Sequence, residues 1–396
     1  YQASLAEVSP QAAQELKALT AKMLAMYRPL GAISTLALRA DGWLLPLLLQ
    51  RFPKAMVQLL PQLRGLGRSM GDFVDETVSD PWLRRLIDLE CFLLSGMKAH
   101  QTVAPEMAFM FGERSQSVID YPLGGSEAII DALLRGLHRW GGQLRLGTHV
   151  EQIWVNSGQA QGVILKNGER IAAAKVISNA TLWDTCNHLL QPEDLPASYR
   201  QSTLGTPAVD SFMHLHLGIR ADGLDDLTIH HVVVHDLDQD ITAPGNTCMI
   251  SIPSVLDPSL APPGHHGIHA YTLEPWAGWQ RAGDYGARKE AKVRPLIRAL
   301  QRVIPDICDR ITLKLIGTPL THQRFLRRHQ GTYGPAIAAG QGLFPGCKTP
   351  IKGLYRVGDS TLPGIGVPAV AASGILCANS LVSPREAAAL LDGQSR

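Results

Sequence analysis

The sequence of 396 residues is poor in charge and in aromatic side chains. Charged residues make up 18% of it and aromatic residues 6%, and the formal net charge is only +2. This near-neutral balance excludes the basic surface that nucleic-acid binding requires. No unbroken apolar run reaches the roughly 18 residues of a membrane-spanning helix. This low content of charged and aromatic residues, together with 45% hydrophobic residues, is typical of a globular enzyme with a large core.

Cysteine is also scarce, and its spacing is uninformative. The six cysteines are Cys91, Cys186, Cys248, Cys308, Cys347 and Cys377, and no two of them form a C-x-x-C pair. Because zinc and redox motifs are built on such pairs, we interpret these residues as reduced core thiols rather than disulfides or metal ligands. With no recognisable targeting segment, the sequence predicts a cytoplasmic protein.

Histidine is the one metal-ligating residue type that clusters. His214 and His216 in FMHLHLG share one face of a predicted strand. Further candidates are His230, His231, His235, His265, His266 and His269. None of these supplies a third ligand at a convincing spacing, so the sequence predicts no metal site.

The first hundred residues and the middle of the chain differ in pattern. Residues 5–100 read as helical, and GGSEAIIDALLRGLHRWGG predicts a helix closed by Gly141. Its apolar face comprises Ile129, Ile130, Leu133, Leu134, Leu137 and Trp140. The predicted strands that follow are QLRL, HVEQIWV, QGVILK, ERIAA and KVISNA, with a hairpin at Asn167-Gly168. We expect the helix to pack on a three-stranded meander.

The second half of the chain alternates between the same two patterns. Residues 205–275 are strand-like, residues 285–303 predict a helix, and a strand follows at 311–316. This alternation predicts one discontinuous domain with another inserted into it.

The segment GLYRVGDSTLPGIGVPAVAASGILCANSLV, residues 353–382, contains a glycine turn. Gly364, Gly366 and Ala369 match G-x-G-x-x-A, the spacing of a dinucleotide-binding turn. In that motif a strand leads directly into the helix, and a second strand ends in an acidic residue about 20 residues later. Here residues 359–363 intervene after the strand, and the capping box SPRE starts another helix. The segment is therefore not a Rossmann turn.

Two interpretations of this segment remain open on the residues alone. A helix that starts at Gly366 and Pro368 leaves its first N–H groups unpaired, which suits an electron-rich ligand. The small row Val370, Gly374 and Ala378 would let a flat ring approach, and Asp359 could accept hydrogen bonds from hydroxyls. The alternative is a buried helix of small residues beside an aspartate turn.

The same segment resembles the C-terminal flavin-binding motif of the FAD-dependent carotenoid desaturase and isomerase family, relatives of the amine oxidases. Further resemblances follow in the family's order: YPLGGSEAIIDALLRGL with RWGGQLRLGTHVEQI, KVISNATLWDT, SVLDPSLAPPG, RHQGTYGPAIAAG and FPGCKTPIKGLYRVGDS. The likeness covers nearly the whole chain and is greatest to the carotenoid-isomerase and retinol-saturase-like branch. It implies an α/β fold with an α+β substrate domain, of the two-domain amine-oxidase/glutathione-reductase type.

The resemblance also implies a division of roles along the chain. Residues 116–190 with 331–396 would form the FAD-binding domain, and residues 1–115 with 191–330 the helical, substrate-binding domain. The implied FAD contacts are Val150 at the adenine, Asn179 and Ala180 along the nucleotide cleft, Gly358 and Asp359 at the ribityl or pyrophosphate part, and Gly364, Gly366, Val367, Pro368 and Ala369 at the start of the helix beside the isoalloxazine.

One departure from the family is expected to matter. The family begins with a strand–G-x-G-x-x-G–helix–strand unit of roughly 30 residues that grips the FAD pyrophosphate, and the sequence shows no such unit. We interpret the chain as a fragment without its N-terminal βαβ unit. Its FAD affinity should then be impaired, so the isolated chain is expected to purify colourless.

The function that the resemblance implies is FAD-dependent cis–trans isomerisation, desaturation or saturation of a carotenoid-like polyene. An amine- or porphyrinogen-oxidase-like flavoenzyme and a non-catalytic remnant that binds a lipid or partner are the alternatives. No general acid, base or nucleophile stands out, so the catalytic residues are not predicted. The stretch WLLPLLLQRFPKAMVQLL is either core or a peripheral membrane contact that collects the apolar substrate.

Overall fold

A computed structural model of the chain describes residues 5–7, 9–116 and 120–393. Its longer helices are α1 Pro10–Gly31, α2 Leu44–Arg51, α3 Pro53–Leu59, α4 Met70–Thr77, α5 Pro81–Ser95, α6 Ala104–Gln116, α7 Gly125–Arg139, α8 Ala197–Leu204, α9 Tyr285–Val303, α10 Pro319–Leu326, α11 Val367–Leu381 and α12 Pro384–Gly393. Its strands are β1 Val150–Asn156, β2 Gln159–Leu165, β3 Arg170–Ala172, β4 Val176–Ser178, β5 Ser211–Arg220, β6 His230–Val234, β7 Thr247–Ser251, β8 His265–Glu274, β9 Ile311–Gly317 and β10 Leu354–Arg356. Shorter helical turns lie at Thr35–Ala37, Leu60–Gly65, Leu182–Asp184, Thr185–Leu189, Pro192–Asp194, Pro253–Val255, Pro258–Leu260, Ile307–Arg310 and His329–Gly331.

The chain divides into two compact units, each discontinuous in sequence. Unit 1 comprises Tyr1–Val118, Val150–Val209 and Tyr333–Arg396, and unit 2 comprises Ile119–His149 and Asp210–Thr332. These units are defined by packing, and their bounds differ from those of the cofactor and substrate domains that the resemblance implies. The assignment of roles to the segments therefore stays a prediction.

The helical part of unit 1 is built on α1. Ser9 caps this helix by accepting a hydrogen bond from the N–H of Ala12, and Pro10 occupies its first position. Leu16, Leu19 and Met23 recur at three- and four-residue spacing and are buried in one core with residues of α4, α5 and α6. Burial of each such side chain contributes roughly 1.5–3 kcal/mol. The helical character predicted for residues 5–100 is confirmed.

The meander of unit 1 follows the turn signals of the sequence. Strands β1, β2 and β3 form an antiparallel sheet in that order. Ser157 and Gly158, at φ of 51° and 73°, turn β1 into β2, and Gly168, at φ of 86°, turns β2 into β3. The predicted strand QLRL is wrong, because residues 143–146 lie outside every strand and Leu146 is exposed. A strand needs a neighbour to bond with, and the alternation of apolar residues does not supply one.

The helix α7 forms as predicted, and Gly141 follows its end at φ of 75°. However, its apolar face is not buried: Leu133 is 66% exposed and Trp140 is 85% exposed. The helix belongs to unit 2, whereas the meander belongs to unit 1. The predicted unit of a helix on a meander is therefore wrong, since periodicity identifies an apolar face without identifying what covers it.

Unit 2 is organised around a five-stranded antiparallel sheet with the order β6-β7-β8-β5-β9. Along β5 the alternate residues Leu215, Leu217 and Ile219 are buried in one core with residues of α9. The intervening residues, among them His214 and His216, point to the other face. The helix expected at 285–303 and the strand expected at 311–316 are both confirmed.

Candidate functional site

Two short parallel strands of unit 1 end at the same edge. Strand β10 pairs with β4 in the register Leu354 with Val176 and Arg356 with Ser178. The pairing continues past the strand end, where the N–H of Val357 donates to the carbonyl oxygen of Ser178 at 3.0 Å. Because parallel strands present their carboxyl ends on one side, the segments that follow β4 and β10 come together there.

Gly358 and Asn179 meet at this edge. A Cβ atom on Gly358 would lie 2.2 Å from Oδ1 of Asn179, and the residue has φ of +96°. Its N–H donates to Oγ of Ser373 on α11 at 2.7 Å, and its carbonyl oxygen accepts from Oγ1 of Thr361 at 2.9 Å. Glycine is therefore required both by the backbone conformation and by the close approach of the asparagine. The bond to Ser373 ties the turn to α11.

The first turn of α11 is open. Gly366 is its N-cap residue with φ of +101°, makes no side-chain cap bond, and has no atom within 4 Å of the place where a Cβ would stand. Gly366, Val367 and Pro368 are all exposed. A helix start of this kind offers unpaired N–H groups and a partial positive charge to an electron-rich group.

The row of small residues on α11 also faces open space. Gly374 has no atom within 4 Å of a Cβ position, and Ala378 is exposed. The buried side of the helix is instead formed by residues such as Leu376 and Cys377. The helix is thus buried on one side only, and the alternative of a buried helix of small residues stays a prediction. Which side of this helix is buried is decided by its neighbours and not by its composition.

The other residues that the resemblance implies as FAD contacts do not all lie at this edge. Oδ1 of Asp359 accepts a hydrogen bond from Oγ of Ser360 at 3.2 Å, and the N–H of Ala180 donates to Oγ of Ser178 at 3.3 Å. Gly364 lies against the ring of Phe344, and Ala369 lies in the half-buried part of the first helical turn. Val150 opens β1, in the separate three-stranded sheet. The structure thus joins Asn179, Gly358 and α11 directly, and it leaves Val150 in another sheet.

Arg356 is a residue of this edge that the sequence did not reveal. It ends β10, is only 2% exposed, and has no hydrogen-bond partner for Nε and Nη1 among the described residues. A buried guanidinium is costly unless an anion or other acceptors approach it. The signal in the sequence is one arginine within an otherwise apolar strand, which is too weak to single it out.

A cofactor with a polar chain and a flat ring fits this set of groups. The glycine turn at Gly358 permits close approach of backbone, the start of α11 offers N–H donors, and Arg356 supplies positive charge two residues before the turn. These are the kinds of groups that bind the phosphates, ribityl hydroxyls and ring edge of a flavin dinucleotide.

Glu106 is a titratable group of unit 1 with an unusual environment. It lies in the first turn of α6, and its burial raises the pKa of the carboxyl to about 7. The start of a helix normally lowers the pKa of a carboxyl, so removal from water is the stronger effect here. The structure gives no contact of Glu106 with the edge at Gly358.

The surface of α2, α3 and the turn after them carries a group of large apolar side chains. Each of these is more than half exposed: Trp43, Leu45, Leu49, Val57, Leu60 and Leu63. Among the described residues, no helix is both long enough and apolar enough to cross a bilayer. The stretch that the sequence left open between core and surface is therefore largely surface.

Comparison with known proteins places this chain among flavoproteins. The model of the flavin containing amine oxidoreductase family matches residues 9–382. Prolycopene isomerase 1 of an Oncidium hybrid cultivar is 38% identical over 344 residues, which are 84% of this chain and 58% of that protein. The neurosporene-forming phytoene desaturase of Rhodobacter capsulatus is 28% identical over 352 residues, covering 82% of this chain and 66% of that protein. The chain thus spans less than two thirds of either relative.

A solved structure agrees in fold. Putrescine oxidase superimposes with a TM-score of 0.56 over 96% of this chain and 76% of its own, at 12% sequence identity. At this identity the likeness concerns the fold alone. The predicted α/β fold of the amine-oxidase type is confirmed.

Proposed function

Because the chain belongs to the family of flavin-containing amine oxidoreductases, we propose that it is part of an FAD-dependent oxidoreductase acting on a carotenoid-like polyene. Isomerisation of cis double bonds is the reaction that its similarity to a prolycopene isomerase supports best. Desaturation is the second candidate, supported by the lower identity to a phytoene desaturase.

The observation that carries the proposal is the edge where Gly358 meets Asn179 and bonds to Ser373 of α11. FAD, when bound, supplies hydride or electron transfer. The backbone at Gly358 would lie against its polar chain, and Asp359 would accept hydrogen bonds from ribityl hydroxyls. The exposed backbone of Gly366, Val367 and Pro368 would lie at the pyrimidine edge of the ring, where the N–H groups of Gly366 and Val367 would stabilise negative charge. Arg356 would balance a phosphate charge.

The two alternatives have less support. The amine-oxidase structure shares only 12% of its residues with this chain, so it supports a fold and no substrate. A non-catalytic remnant would not need a glycine at residue 358 held against Asn179, nor a helix start kept open at Gly366.

The test supplies cofactor and substrate to the purified full chain. We expect added FAD to bind with impaired affinity, measured by quenching of its fluorescence as FAD is titrated to saturation. At saturating FAD, prolycopene in lipid vesicles should become all-trans lycopene under reducing, anaerobic conditions, measured by chromatography. Failure to bind FAD contradicts the cofactor proposal. Binding of FAD without any change in the polyene contradicts the substrate proposal. A chain heated to unfold it controls for spontaneous isomerisation.

We also propose that the apolar surface of α2 and α3 docks on a lipid membrane, from which the substrate would be taken. The cations Arg51 and Lys54 lie between its exposed side chains Leu49 and Val57, as in helices that lie at a bilayer surface, and Arg51 is paired with Asp392 at 2.7 Å. The exposed apolar side chains of this surface would insert into the bilayer, and the cations would lie beside anionic headgroups.

Sedimentation with vesicles that contain anionic lipid tests this docking. The double variant Val57→Ser/Leu60→Ser is expected to lose most of its vesicle-bound fraction, because it removes two exposed side chains from the proposed surface. The control Leu237→Ser/Leu256→Ser changes two leucines of similar exposure elsewhere. Equal binding by the two double variants would show that this surface has no special role.

A further inference from the structure

The register of the unit 2 sheet brings histidines from distant parts of the sequence onto one face. On β5 and β8, His216 pairs with His269 and His214 pairs with Tyr271. Residues paired across antiparallel strands point to the same side, and residues two apart along a strand do so as well. His214, His216 and His269 therefore lie on the face opposite to the core that contains Leu215.

The three rings lie close together. Nδ1 of His214 is 2.6 Å from Nε2 of His269, and the ring centroids of His216 and His269 are 4.6 Å apart. Each ring offers one nitrogen such that the three nitrogens all lie within 4.8 Å of one another. A tetrahedral zinc ion with bonds of 2.0–2.1 Å places its ligand nitrogens about 3.3 Å apart. The 3.3 Å spacing lies between the observed 2.6 Å and 4.8 Å, so modest rotations of the histidine side chains would bring the three nitrogens to it.

A fourth histidine covers the group. His322 of α10 lies with its ring centroid 4.5 Å from that of His214, tilted by 52°. Gly317, which pairs with His214 in β9, packs closely on it, since a Cβ on Gly317 would lie 3.3 Å from Cβ of His214. His214 is buried, His269 is half-buried and His216 is exposed, so the group opens to the surface on one side.

The histidines are neutral at physiological pH. Removal from water lowers the pKa of His214 to about 2 and that of His269 to about 4. Neighbouring imidazoles add to the shift, since a second positive charge in the group is unfavourable.

We propose that His214, His216 and His269 form a site for a single zinc ion. Three histidines with one remaining coordination position are a recurrent donor set for zinc, and that position would hold water or an anionic ligand on the open side at His216. The site is formed by residues of unit 2, whereas the flavin edge is formed by residues of unit 1.

Zinc titration of the full chain tests this site. After treatment with a chelator, the chain is titrated with Zn²⁺ in competition with a chromophoric chelator, and we expect one equivalent to bind. His216→Ala and His269→Ala are each expected to weaken the affinity at least about tenfold, because each removes one of three ligands. Co²⁺ in place of zinc should give the visible absorption of a tetrahedral site in the wild type alone.

His230→Ala is the matched control. His230 lies at the edge of the same sheet, opposite Ser251, which pairs with His269 on its other side, and it bonds to Ser251 at 3.0 Å. This variant should keep the affinity of the wild type. His216 is exposed, so its replacement should leave the fold intact, as circular dichroism would verify. Wild-type affinity in both His216→Ala and His269→Ala, or no bound equivalent in the wild type, would overturn the proposal and leave a hydrogen-bonded stack of rings.

Discussion

Replacement of Gly358 by alanine is expected to destabilise unit 1 by about 1–3 kcal/mol and to abolish FAD binding. The positive φ of +96° costs a side chain roughly 1–2 kcal/mol. Contact of the new Cβ with Oδ1 of Asn179, at 2.2 Å before relaxation, adds up to about 1 kcal/mol, because Oδ1 is the end of an exposed side chain that can rotate away. Because the clash lies on the proposed cofactor edge, the relaxed backbone would no longer fit the polar chain of FAD. Urea unfolding and quenching of FAD fluorescence measure the two effects.

The control variant Gly168→Ala separates the cost of the positive φ from the cost of the contact with Asn179. Gly168 has a similar φ of +86° but no atom within 4 Å of its Cβ position, so its replacement costs only the backbone strain. The double variant Asn179→Ala/Gly358→Ala should likewise recover the part of the loss that comes from the clash. If Gly358→Ala and Gly168→Ala cost the same and both bind FAD, the close approach at Asn179 is unimportant.

Glu106→Gln is expected to change how stability depends on pH. The pKa of Glu106 is about 7 in the folded chain and has a reference value of 4.5, so the folded state holds the proton more tightly between these values. The free energy of unfolding therefore falls as pH rises from 4.5 to 7, by an amount on the order of 1–3 kcal/mol. Glutamine cannot ionise and removes this fall, so the variant should be more stable than the wild type at pH 8.

Thermal unfolding at pH 5 and pH 8 gives the measurement, and Glu113→Gln is the control. Glu113 lies on the same helix but is exposed. The difference in melting temperature between the two pH values should shrink in Glu106→Gln and stay unchanged in Glu113→Gln. An identical pH dependence in Glu106→Gln and the wild type would show that this carboxyl ionises as freely in the folded chain as in the unfolded one.

The sequence correctly predicted turns, helices and helix caps, because these elements depend on residues that are close together in the chain. The turns at Asn156-Ser157-Gly158 and Asn167-Gly168, the helix at 285–303 and the capping box at Ser383 and Glu386 all form. Each rests on residues within one or two turns of one another, whose conformational preferences act without tertiary contacts. The flavin motif was also readable, because its glycines and helix start are adjacent in sequence.

The sequence by itself therefore determined the local elements, the family and the glycine segment near residue 358. Tertiary structure alone decided that β4 and β10 bring Asn179 to Gly358, that Arg356 is buried, and that the face of α7 with Leu133 is exposed. It also decided that His269 lies opposite His216, although 52 residues separate them. Strand partners and the covering of an apolar face depend on contacts between distant residues, and periodicity along one segment carries no information about them.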